Sequence, residues 1–274
     1  MNVCTDPVYR FSPAPCPVGT VLPLVFAPQG CADGKGFHRT TQPLPDCGTL
    51  WRAGTQLFDA HKVARFQVVG RMLMPTGVCS TAPHAQLCPL LKALTPLTPD
   101  TTETAFSATR TGWALAWITL SDKGAAGLRE DESGPLMASE TRSHLPLCHE
   151  QGFMIPDDPH MLRALVMELT LGQGYDLVLT SGGTGLAERD TTPEALLPLF
   201  ERRLHGFEQG MMQASLAKTP TAMLSRAVAG TIGHSLVLTL PGSCKAVREN
   251  LAAVLPALGH ALDKIHGDPT DCGH

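Results

Sequence analysis

Four short segments of this chain carry residue types suited to holding a phosphorylated ligand: Ser121-Asp122, Pro156-Asp157-Asp158, Ser181-Gly182-Gly183-Thr184-Gly185 and Pro241-Gly242-Ser243. The small residues of Gly182–Gly185 let backbone N–H groups approach a phosphate without interference from Cβ atoms. The same run also reads as a tight turn, and it lacks both the lysine of a Walker motif and the G-x-G-x-x-G of a dinucleotide loop. Carboxylates stand beside it. Asp157 follows an apolar run, and Asp190 follows the glycine loop by a few residues. Such groups supply the hard oxygen ligands that Mg²⁺ on a nucleotide requires. Asp157 and Asp158 are equally suited to capping a helix, so one can cap while the other faces a ligand. Lys123, Arg189, Arg226 and Lys245 are either charge-neutralising helpers or solvated surface groups. His144, His149, His205 and His234 have no metal-ligand spacing, and Cys148, Cys244 and Cys272 have no base beside them that would make a nucleophile.

These segments need a scaffold that brings them together, and the flanking sequence provides one. Trp113–Leu120, Gly152–Pro156, Tyr175–Thr180 and Leu236–Leu240 read as buried strands, each ending at one of the four segments. Helical patterns lie between them: Gly134–Leu145; a helix capped by Asp158 with Pro159 at its first position and Leu162, Leu165, Val166 and Leu169 on one face; and one opened by Thr192-Pro193-Glu194. The last helix carries Val247, Leu251, Val254, Leu255, Leu258, Leu262 and Ile265 at core-facing spacing. This alternation predicts an α/β fold with a doubly wound, mostly parallel sheet, whose strand exits share one edge.

The rest of the chain differs in character. Residues 1–94 are rich in proline, glycine and cysteine, with strand-like runs at Val18–Phe26 and Phe66–Met74 and a helical turn or two expected at Leu87–Leu94. They form a small β-rich region of unassigned function. Residues 95–112 are dominated by threonine and proline and read as a linker, residues 113–268 form the α/β domain, and 269–274 are a tail. Of nine cysteines, Cys4, Cys16, Cys31, Cys47, Cys79 and Cys88 lie in the first third. Without any C-x-x-C pair they read as reduced, mostly buried thiols, with a redox or metal role as the alternative. A net charge of −4 argues against nucleic acid and anionic membrane as partners. No apolar run is long enough to span a bilayer and no apolar leader is evident, so a cytoplasmic location is expected.

The segment Thr180–Gly185 followed by Arg189-Asp190-Thr191-Thr192-Pro193-Glu194 resembles the signature of the molybdopterin adenylyltransferase family (the MogA, MoaB-like, plant and gephyrin G-domain type). The resemblance runs in order from Ser121-Asp122 through Asp131, Ser133, Gly134 and Pro135, Ile155–Asp158, Met211-Met212-Gln213, Ala222–Arg226 and Leu240–Ser243, so it covers the whole second region. The Met211–Arg226 part separates it from molybdenum-insertion and competence-associated proteins that share the glycine loop. The resemblance implies a trimer that joins AMP from Mg-ATP to the terminal phosphate of molybdopterin and releases pyrophosphate. It makes Asp157 and Asp190 the central aspartates and Mg²⁺ ligands, and Gly182, Gly183, Thr184 and Gly185 the nucleotide contacts. Ser121, Asp122, Ser225, Pro241, Gly242 and Ser243 fall at the pterin end. ATP and molybdopterin are the implied small-molecule substrates, with a molybdenum-insertion protein as the implied protein partner. Cys244 stands where the family often has proline. A pocket that binds, stores or delivers molybdopterin, or a trimeric scaffold displaying the first region, are the other readings; paired metal-facing carboxylates favour the enzyme.

Overall fold

The run Trp113–Leu120 forms the strand β8, next to the edge strand of a six-stranded sheet. The structure, a computed structural model, describes residues 8–27, 36–42, 51–74, 85–97 and 103–269. Contacts divide the chain between Thr111 and Gly112 into two units, each with its own buried core.

The first unit is all β: β1 (Val8–Phe11), β2 (Val21–Phe26), β3 (His38–Thr40), β4 (Gln56–Phe58), β5 (Ala64–Met74), β6 (Gln86–Ala93) and β7 (Thr104–Thr109). Their order is β1-β7-β4-β5-β6-β2-β3. Ser12 and Arg39 exchange backbone hydrogen bonds of 2.7 and 3.0 Å, joining the two end strands so that the sheet closes on itself. Closure leaves few free edges and fills the interior with side chains, here Phe11, Leu24, Trp51, Leu57, Phe66 and Phe106. Two expectations are corrected. Leu87–Leu94 is not helical; it lies in β6, paired with β5 on one side and β2 on the other, because sheet pairing overrides its leucine spacing. Part of the expected linker, Thr104–Thr109, is β7, since Phe106 and Ala108 alternate into the core. Cys16 and Cys88 are buried, whereas Cys4, Cys31, Cys47, Cys79 and Cys272 lie outside the described residues.

In the second unit, β8 is followed by α1 (Asp122–Ala125), α2 (Ser133–Arg142), β9 (Leu147–Ile155), α3 (Pro159–Met167), β10 (Leu177–Ser181), α4 (Thr192–Leu196), β11 (Arg202–Arg203), α5 (His205–Leu216), β12 (Ala229–Ile232), β13 (Ser235–Leu240) and α6 (Cys244–Ile265). Strand order is β11-β12-β13-β10-β8-β9, with β9, β8, β10 and β13 parallel and the β11–β12 edge antiparallel. Leu177 and Leu179, with Leu236, Leu238 and Leu240, face α2, α5 and α6. Strand periodicity sends Val178 and Val237 to the opposite face, the side on which α3 and α4 pack together. This is the doubly wound fold that the alternation predicts. The chain steps from β8 outward to β9 and then back across to β10, which makes the β8/β10 boundary a switch point, where loops diverge and leave a crevice for ligands.

Candidate functional site

The exits of β8, β9, β10 and β13 meet at this switch point, as their parallel direction requires. Asp122 and Asp157 interlock there: the Asp122 amide donates to Asp157 Oδ2 (3.3 Å) and the Asp157 amide to Asp122 Oδ1 (3.2 Å). Each carboxylate is thus fixed by the other's backbone. Asp158 accepts the His160 and Met161 amides at 2.7 and 3.0 Å, capping α3 with Pro159 behind it. The two neighbouring aspartates therefore differ in their partners, Asp158 capping α3 and Asp157 accepting the Asp122 amide. Those capping bonds hold the Asp158 carboxyl below the usual range.

Asp157 goes the other way. Burial pushes its carboxyl above the usual range, and the like charges of Asp122 and Asp190 add to this, while the Asp122 amide and Arg189 pull it back. Asp190 lies on the arm after the glycine loop, where its Oδ2 accepts the Ala187 amide at 2.8 Å. Arg189 reaches from that arm to Asp122, with Nη2 donating to Oδ1 at 3.1 Å and Nη1 paired with Oδ2.

The glycine loop is held open by its surroundings. Gly182 has φ 109° and Gly183 φ 64°, left-handed conformations that suit glycine, and a Cβ at Gly182 would stand 2.7 Å from the Leu120 carbonyl oxygen. The Gly182 amide bonds the Leu240 carbonyl (3.2 Å), so Gly182 gives the loop its shape rather than a donor. Among the described residues, the amides of Gly183, Thr184 and Gly185 have no protein acceptor. Three adjacent free N–H groups at a strand exit are what a phosphate needs.

Two residues tie the loop down. Thr192, buried at the start of α4, donates its hydroxyl to the Gly182 carbonyl (3.0 Å) and its amide to that of Gly183 (3.1 Å). The helix opens at Thr192 as its residue types dictate, but Thr191 holds the cap position and makes no side-chain capping bond, so the Thr192 hydroxyl serves the loop rather than the helix end. Arg226 donates its amide to Thr184 (2.8 Å) and Nε to the Gly185 carbonyl (2.9 Å), and its Nη groups reach the Asp190 carbonyl and Glu194. The sequence offered Arg226 as a charge helper or a solvated surface group, not as a clamp. Its clamp spans 41 residues, a separation that leaves no local signal.

Beside the aspartates lies a cleft lined by Ser121, Asp131, Glu132, Ser181, Gly242 and Cys244, among others. The structure brings Ser121 and Gly242 together here. The Ser121 hydroxyl caps α1 by accepting from Gly124 (3.1 Å), and Ser243 caps α6 by accepting from Ala246 (3.3 Å). Pro241 accepts the Ser181 hydroxyl at 3.0 Å. Ser225 stands on the turn entering the Arg226 clamp and does not line the cleft. Ser181, Glu132 and Met154 join the lining without having been singled out as ligand contacts. Ser181 alone left a sequence signal, as the residue opening the glycine loop. Lys123 and Lys245 are exposed, and His149, His205 and His234 are engaged with Tyr175, Glu208 and the Ile265 carbonyl.

Residues 116–260 match the model of a family described as a probable molybdopterin binding domain. The chain belongs to that family. Gephyrin of Dictyostelium discoideum is 39% identical over 166 residues, which are 57% of this chain and 23% of that protein. The molybdopterin adenylyltransferase of Haemophilus influenzae is 40% identical over 151 residues, 55% of this chain and 77% of that protein. Among solved structures, the molybdopterin biosynthesis enzyme MoaB of Thermus thermophilus matches with TM-score 0.52 and 42% identity, covering 58% of this chain and 99% of that one. All three likenesses fall on little more than half of the chain. This chain spans under a quarter of gephyrin's length, so that protein's wider activity is not carried over. Among the described residues, no helix is long and apolar enough to cross a membrane.

Proposed function

We propose that the second unit is a molybdopterin adenylyltransferase of molybdenum cofactor biosynthesis, transferring AMP from Mg-ATP to the terminal phosphate of molybdopterin with release of pyrophosphate. The observation that carries this reading is the interlocked Asp122–Asp157 pair, with the Asp190 charge acting on it, at the same switch point as three free loop amides and beside a polar cleft. The reading further takes the working form as a cytoplasmic homotrimer able to pass its product to a molybdenum-insertion protein.

The hard oxygens of Asp122, Asp157 and Asp190 suit Mg²⁺; burial is the main cause of the raised Asp157 carboxyl, and the like charges of Asp122 and Asp190, which add to it, are what a cation would relieve. Among the described residues, no three His, Cys, Asp or Glu side chains stand as a ready-made metal cluster, so the nucleotide's own phosphates would complete the ligand set. Bound there, Mg²⁺ would supply charge neutralisation at phosphorus. The Gly183, Thr184 and Gly185 amides would hold nucleotide phosphates, and Ser121, Ser181 and Gly242 would border the pterin phosphate. One oxygen of that phosphate attacks the α-phosphorus as the bond to pyrophosphate breaks, so no covalent enzyme intermediate is required. The chain's contribution is alignment and charge dispersal.

Incubating the purified chain with molybdopterin and Mg-ATP should yield adenylylated pterin and pyrophosphate. Tight pterin binding with no adenylylated product would instead favour a storage or delivery role.

A further inference from the structure

The Asp122–Arg189 contact has a consequence for how the site loads. The ion pair is bidentate, engages both Asp122 oxygens, and is formed by an arginine whose side chain is two-thirds exposed and, among the described residues, anchored by no other bond. Its Asp122 partner is far more rigid, because Oδ1 also accepts the Asp157 amide. An exposed cation therefore rests on a fixed carboxylate, beside the second carboxylate of Asp157.

We propose that Arg189 is a placeholder cation, holding Asp122 in the ligand-free protein and moving to the nucleotide phosphates when a divalent cation takes its place. This rests on the nucleotide reading of the site and adds a coupling to it. With both Asp122 oxygens engaged by Arg189, and Oδ1 also by the Asp157 amide, a divalent cation arriving alone competes with the guanidinium and displaces it into water. Arriving with a nucleotide, it releases Arg189 next to the loop whose amides face phosphate, and a guanidinium pairs with phosphate bidentately. Metal binding is then weak without nucleotide and strong with it. Arg189 acts here on the metal's ligand and on the substrate's phosphates; Lys123, the adjacent cation, is exposed and makes no ion pair among the described residues.

The test uses Mn²⁺ as the probe, followed by electron paramagnetic resonance on the full chain, with and without a non-hydrolysable ATP analogue. In the wild type the analogue should tighten Mn²⁺ binding at least tenfold. In Arg189→Gln, Mn²⁺ alone should bind several-fold more tightly than to the wild type, and the gain from the analogue should shrink. Arg189→Lys, which keeps the charge but loses the fork, should fall between them. Thermal melting close to the wild type is expected for both variants, since the side chain is exposed. Equal or weaker Mn²⁺ binding by Arg189→Gln without nucleotide overturns the placeholder role. That result together with a wild type that makes adenylylated product would leave the functional reading standing and sink only this inference. If the wild type makes no product, the functional reading fails, and the nucleotide-free Mn²⁺ comparison still decides whether Arg189 competes with a cation.

Discussion

At the scale of single residues, Asp157 faces opposite demands from folding and from chemistry. Asp157 is an acid whose folded pKa lies above its unfolded value. Its contribution to stability is therefore complete below the unfolded pKa and lost as pH rises through the folded one, so at neutral pH its charge opposes folding. Asp157→Asn should leave the melting temperature at neutral pH unchanged or higher, while adenylylation falls at least tenfold, equivalent to about 1.4 kcal/mol of transition-state stabilisation. Asp190→Asn should lose activity to a similar extent yet fold normally, because an amide oxygen can still accept from Ala187. Asp158→Ala should reverse the pattern, costing about 1 kcal/mol of stability with near-normal turnover below the melting range. Full turnover in Asp190→Asn would remove that residue from the site. Asp122, Asp157 and Asp190 were legible in the sequence because strand exits in a parallel sheet share an edge. The Asp122–Arg189 pairing was not, since its partners lie 67 residues apart and salt bridges over such distances obey no periodicity.

Among the elements, the loop between β10 and α4 depends on buried polar contacts rather than on its own sequence. Replacing Thr192 by valine preserves shape and removes the hydroxyl that satisfies the Gly182 carbonyl. An unsatisfied buried acceptor costs about 1–3 kcal/mol, so the melting temperature should drop and the KM for ATP should rise as the loop amides lose their fixed direction. Thr192→Ser should restore both, whereas equal KM values in the valine and serine variants would show that the loop holds its shape without this bond. The pattern of elements was readable wherever local signals and tertiary packing agree. Trp113–Leu120 is a strand from end to end, and Asp158 with Pro159 opens α3 as its residue types dictate. Reading failed in the first unit, where Leu87, Leu90, Leu91 and Leu94 imitate a helical stripe but the segment belongs between β5 and β2. The threonine-rich β7 was hidden for a related reason: only Phe106 and Ala108 in it are buried, too sparse an alternation to stand out from a linker.

For the molecule as a whole, the division at Thr111/Gly112 separates an aromatic core from an aliphatic one, and a fragment comprising residues 112–274 should fold alone. Heating the full chain should then give a transition that this fragment lacks, and that transition reports on the first unit. Its pH dependence is set in part by His38, which is fully buried between Phe11 and Phe66. Nδ1 of His38 accepts the Ala14 amide at 2.9 Å, so the ring proton sits on Nε2, and protonating Nδ1 would break that bond and place a charge among aromatic rings. Burial accordingly pushes the pKa down to about 4. The sign follows directly. Below an unfolded pKa near 6.5 the unfolded chain takes up a proton that the native one refuses, so stability is full above that value and declines until pH reaches about 4. Across this window the loss attributable to His38 is about 3 kcal/mol. Carboxylates add their own slope in acid, so the informative quantity is the difference between the wild type and His38→Gln, whose side-chain oxygen can still accept from Ala14. That difference should narrow or reverse by about 3 kcal/mol between pH 6.5 and 4, and stability curves that stay parallel throughout would show that His38 is not the group refusing the proton.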